Sequence, residues 1–109
     1  MTELTIIAFI RARPGQTLAL GRELCLLVPP TLAEEGCLGY EVHQSEDDPD
    51  IWLLYESWRS AEYLDAHFET PYLQAFFEKG AALVEGEVTM HKFMRYAAGG
   101  TPEIATCAA

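Results

Sequence analysis

Residues 4–12, LTIIAFIRA, are rich in β-branched and aromatic side chains and predict a strand. Arg13-Pro14-Gly15 then reads as a turn, and from Gln16 the apolar period changes. Leu20, Leu24, Leu27 and Thr31 fall on one stripe at helical spacing, with Leu18, Cys25, Val28 and Leu32 beside it. This predicts a helix with a broad buried face. Pro29-Pro30 lies inside it and is expected to kink or interrupt the helix near Leu27 or Val28, because proline has no amide donor and its ring crowds the preceding turn. Gly36 suits the C′ position after Glu34 and Glu35.

Cys37–Gln44 returns to an alternating pattern, with Tyr40, Val42 and Gln44 on one face and Glu41 and His43 on the other. The acidic run Glu46–Asp50 reads as a solvated hairpin loop, and Ile51–Trp58 as a third strand that places Trp52, Leu54, Glu56 and Trp58 on one face. Ser60 is a suitable N-cap for a short helix to about Glu69. Thr70-Pro71 restarts a helix with proline at N1 and an apolar stripe of Leu73, Phe76, Phe77, Gly80 and Val84. Residues 87–96, EVTMHKFMRY, predict a last strand. The order β-α-β-β-α(α)-β is the ferredoxin-like α+β pattern: an antiparallel sheet with the second and fourth strands at its edges and helices on one face. Residues 1–96 form one domain, and the small, Gly-rich tail 97–109 is expected to fray or wrap a neighbour. The bare sheet face carries bulky apolar groups, and a domain of 109 residues is short of buried surface. Both predict a homodimer packed sheet to sheet.

Charge narrows the partners. Seven basic residues against 17 acidic give a net charge of −10, which argues against nucleic acid and anionic membrane surfaces. No apolar run approaches the ~20 residues of a membrane helix. Cys25, Cys37 and Cys107 have no metal-like spacing and read as reduced thiols of a cytoplasmic protein, the first two as small buried hydrophobes. His43, His67 and His91 are the only histidines. His43 and His91 belong to strands three positions apart, roughly 14 Å at ~4.8 Å per strand, so no shared metal site is expected. No hydroxyl nucleophile comes with a matching base, and no Gly-rich phosphate loop is present.

Chemistry concentrates in residues 52–67, WLLYESWRSAEYLDAH. His67 is the candidate general acid or base, since imidazole titrates near neutrality; the competing reading is a packing histidine hydrogen-bonded in the core. As a partly exposed pocket residue it would matter little to stability. Glu56 either orients that histidine or pairs with an arginine. Trp58, Tyr40, Tyr72 and Phe76 either line a cavity for a flat aromatic ligand or are ordinary core.

The chain resembles the antibiotic biosynthesis monooxygenase family of dimeric α+β barrels. The matching pieces are Arg13-Pro14-Gly15, EEGCLGYEVH around Glu34–Tyr40, the Asp48-Pro49 hairpin, L-Y-E-x-W at Leu54–Trp58, Ser60-x-Glu62, His67, Thr70-Pro71-Tyr72 and Phe76. The resemblance implies a homodimer and a cofactor-independent monooxygenase acting on a quinol or (poly)phenol with O2. It makes His67 the pocket base or donor and Tyr40, Trp58, Tyr72 and Phe76 the lining, with Glu56 as the strand carboxylate. Haem-degrading members use a later helical histidine, where this chain has Phe76 and Phe77. Another branch acts on small phosphorylated sugar-like signals; an isomerase of that kind is a further alternative, and it should want basic pocket residues. A non-catalytic ligand-binding or assembly domain on the same barrel is the alternative from a different class.

Overall fold

The computed structural model describes residues 3–98. Its elements are β1 (Leu4–Arg11), α1 (Thr17–Leu32), β2 (Cys37–Gln44), β3 (Ile51–Trp58), α2 (Ala61–Phe68), α3 (Pro71–Gly80) and β4 (Thr89–Phe93). The strands form one antiparallel sheet in the order β2-β3-β1-β4, the ferredoxin-like arrangement. His43 and His91 therefore sit on opposite edge strands, as expected. No described helix is long and apolar enough to cross a membrane.

Strand alternation divides the sheet into two unlike faces. Ile6, Ala8 and Ile10 of β1 and Leu54, Glu56 and Trp58 of β3 are buried beneath the helices, which contribute Leu20, Leu24, Leu27, Leu64, Leu73 and Phe76. The opposite face presents Phe9, Tyr55 and Phe93, all exposed. Nothing among the described residues covers that face.

The buried stripe of α1 is narrower than predicted. Leu20, Gly21, Leu24, Leu27 and Thr31 are buried, whereas Leu18, Cys25 and Leu32 are exposed. The expectation that Cys25 is buried is thus overturned; Cys37 is half-buried, and Cys107 lies outside the described residues. The helix meets the sheet along one ridge, and Gly21 lets it come close: a Cβ there would sit 2.5 Å from the Trp52 ring. Trp52 Nε1 donates to Thr17 Oγ1 (2.9 Å), and Thr17 Oγ1 donates to the Pro49 carbonyl (2.7 Å). That chain ties the start of α1 to the β2–β3 hairpin.

Pro29 and Pro30 do not interrupt α1, which runs to Leu32. The carbonyls that lose their donors belong to Cys25 and Leu26, both exposed, so water can take the place of the missing amides. Gly36 is not a left-handed C′ residue, since among the described residues only Gly15 and Gly86 have positive φ. Its constraint is steric, because a Cβ would collide with the Tyr63 ring. Ser60 and Thr70 begin their helices without capping them through their side chains. Ser60 Oγ is buried without a partner, and Thr70 Oγ1 donates backwards to the His67 carbonyl (2.7 Å). The acidic loop is more ordered than a solvated run: Asp48 pairs with Arg11 (3.1 Å) and accepts the Asp50 amide (3.1 Å). The tail from 99 onward lies outside the described residues.

Candidate functional site

On the helix side of the sheet lies a cavity of about 200 Å³. Its floor is Ala8, Ile10 and Leu54, its roof Leu27, Leu73 and Phe76, and Met90 of β4 closes one side. Three polar side chains interrupt this apolar wall: Tyr40, Glu56 and His67. No lysine or arginine lines it.

His67 comes from α2 and is 2 % exposed. Its Nδ1 lies 2.7 Å from Oε2 of Glu34, in the segment that follows α1. An ionised carboxylate only accepts, so this contact places a proton on Nδ1; in the neutral ring Nε2 is then the acceptor. The ring packs against the Trp58 indole (centroids 4.7 Å apart) and stands edge-on to Tyr40 (5.8 Å). The same Glu34 oxygen accepts the Tyr72 hydroxyl. Burial and the Glu34 carboxylate push the Tyr72 phenol up to about 12.

Glu56 is 5 % exposed, and its Oε1 accepts the Trp58 indole N–H at 2.9 Å. No described lysine, arginine or histidine forms an ion pair with it. Burial raises its carboxyl from 4.5 to about 7, with the Glu34 charge adding to the rise and the indole bond opposing it. Directly opposite in the β2–β3 register stands Tyr40. Its hydroxyl is buried without a hydrogen-bond partner, and burial lifts the phenol well above its ordinary range.

The six residues singled out in the sequence thus divide. Tyr40, Glu56, His67 and Phe76 meet around the cavity. Trp58 is fully buried behind it, holding Glu56 and backing His67. Tyr72 is half-buried and holds Glu34 rather than the cavity wall. Two expectations change. Glu34, not Glu56, orients the histidine, and Glu56 pairs with an indole rather than an arginine. His67 is buried, not partly exposed. Glu34 was missed as a site residue; the only trace of it in the sequence is its place in the EEGC segment. Among the described residues no group of three or more His, Cys, Asp or Glu side chains is placed to hold a metal ion.

The model of the family described as "Antibiotic biosynthesis monooxygenase" matches residues 4–79. "Probable quinol monooxygenase YgiN" of Escherichia coli is 38 % identical, over 78 % of this chain and 88 % of its own. PA3566 from Pseudomonas aeruginosa, a crystal structure, superposes with a TM-score of 0.84 at 39 % identity, covering 89 % of this chain and 97 % of that one. Rv0793 from Mycobacterium tuberculosis gives a TM-score of 0.84 at 26 % identity, over 91 % of this chain and 100 % of that one. The matched segment runs from β1 into the last turn of α3 and takes in Glu34, Tyr40, Glu56 and His67, and the chain belongs to the antibiotic biosynthesis monooxygenase family.

Proposed function

We propose that this protein is a cofactor-independent monooxygenase that oxidises a quinol or phenol with O2 in the cavity above the sheet. The observation that carries the reading is a buried histidine on the wall of a mostly apolar cavity, its Nδ1 held by Glu34. A phenol with a free para carbon plus O2 gives a quinone plus water. The substrate supplies the electrons once it has lost its phenolic proton. The protein then has to take that proton, exclude water and offer donors to developing oxyanions. His67 serves as the base, Tyr40 and Phe76 as walls. The name of the E. coli relative points to quinols. The absence of lysine and arginine from the wall fits an uncharged ring better than a phosphorylated sugar.

The homodimer belongs to the same proposal. The exposed Phe9, Tyr55 and Phe93 give a second copy an apolar sheet face to cover, and sedimentation at micromolar protein tests it, a monomer refuting it. The activity is tested by oxygen uptake with a panel of quinols and phenols on metal-stripped protein. Uptake is expected in the wild type, with a loss of ~10²–10⁴ in His67→Ala, the range for a positioned base. No uptake with any compound refutes the oxygenase, and saturable binding without uptake assigns the fold to a ligand-binding role instead.

A further inference from the structure

We propose that Glu56, with Tyr40 beside it in the sheet, is the proton donor to the peroxide that forms when dioxygen adds to the substrate. The inference rests on the oxygenase reading above. Its ground is the second polar group of the cavity, for which that reading has no use. Glu56 has one oxygen fixed by the Trp58 indole and no cation to neutralise it, and it forms part of the cavity wall. A buried carboxyl in that position is favoured as the neutral acid, which is a donor. Across the β2–β3 register stands Tyr40, whose hydroxyl has no hydrogen-bond partner. A phenol in the cavity with its oxygen at His67 carries its para carbon at the far end of the ring, and Glu56 is the other ionisable acid of the same wall. One imidazole fixed by Glu34 cannot serve both ends of such a ring.

His67 Nε2 takes the phenolic proton. The anion donates electrons to O2, and a C–O bond forms at the para carbon, which keeps its hydrogen; the ring becomes a dienone bearing a peroxide anion. Glu56 protonates the terminal oxygen and becomes a carboxylate. That carboxylate then removes the hydrogen from the same carbon. The C–H pair becomes the new C=O bond as the O–O bond breaks. Hydroxide leaves, takes the proton held on His67 and departs as water. Both residues return to their starting states. The ring has lost four electrons and dioxygen has gained four.

The groups facing Glu56 are Glu34 after α1, Cys37 and Tyr40 of β2, His67 of α2 and, beyond Ile6 in the same sheet row, Lys92 of β4. The carboxyl raised to about 7 gives the rate an alkaline limb that His67 does not produce, since loss of the Glu56 proton removes the donor.

The test uses the full chain and 1-naphthol, a bicyclic phenol with a free para carbon, and follows oxygen uptake and quinone formation against pH. Wild type is expected to lose rate in alkali, near pH 7, as Glu56 ionises. Glu56→Gln, which keeps an acceptor for Trp58, is expected to lose ~10²–10⁴ in turnover and the alkaline limb together, while naphthol binding is retained. A wild-type profile with no alkaline limb, or Glu56→Gln turning over like wild type, overturns the donor while the oxygenase reading stands. No uptake by wild type overturns both. If Glu56→Gln fails to fold, Tyr40→Phe decides: slower turnover with the limb preserved supports the proposal, and an unchanged rate refutes it.

Discussion

Glu34→Ala removes the acceptor shared by two side chains, and the size of the effect follows from how well each can replace it. His67 is 2 % exposed, so its Nδ1–H loses its only partner with no water at hand. A buried donor left unsatisfied costs about 1–3 kcal/mol. Tyr72 is half-buried, and its hydroxyl also lies 3.3 Å from the Pro30 carbonyl, so it loses less, about 0.5–1 kcal/mol. Together the two come to about 1.5–4 kcal/mol. For a domain of this size that lowers the melting temperature by roughly 6–30 °C. Glu34→Gln keeps an acceptor oxygen and should lose less than half as much. The assay is urea unfolding of both variants alongside His67→Phe and the double mutant. In the His67→Phe background the Glu34→Ala change should shrink, the difference being the coupling between the two. A Glu34→Ala loss under ~0.5 kcal/mol, or full additivity with His67→Phe, would show that the pair does not anchor the histidine.

Three further outcomes are expected. Glu56 lowers stability as pH rises, because its carboxyl holds a proton in the folded state that the unfolded chain releases; the loss builds from 4.5 to about 7 and is complete above. Glu56→Gln should therefore gain stability relative to wild type at pH 8 but not at pH 4, by on the order of 3 kcal/mol, read from unfolding at the two pH values. Gly21→Ala forces a methyl to 2.5 Å from the Trp52 ring and should cost about 1–3 kcal/mol, most of it recovered by Trp52→Leu in the same chain; thermal melts decide. His67→Ala should lose stability as well as turnover, by about 3 kcal/mol, since it empties a buried ring site and strands Glu34; a melting point within 2–3 °C of wild type contradicts that placement.

Periodicity located what depends on a single element. The stripe Leu20, Leu24, Leu27, Thr31 is the buried face of α1, and the alternation Leu54, Glu56, Trp58 is the buried face of β3. What depends on two distant elements was not legible. His67 and Glu34 are 33 positions apart, and no local pattern distinguishes Glu34 from Glu35 beside it. Exposure on the flank of a helix is equally invisible: Leu18, Cys25 and Leu32 are as apolar as their buried neighbours, and only the single line of contact with the sheet leaves them outside. Pro29-Pro30 does not end α1, because the rule concerns lost hydrogen bonds and the residues whose carbonyls lose their donors are exposed.

The edge strand β4 has a kinetic meaning. It is five residues long, every one of them exposed, and it is bonded to β1 alone, yet its Met90 walls the cavity. Such a segment opens at a small fraction of the free energy that unfolds the sheet. Amide hydrogens of residues 89–93 should exchange with solvent well before those of β3, which is bonded on both sides. Met90 thus stands on the wall of the cavity that depends on one line of strand bonds, while Glu56 stands on a strand bonded along both edges.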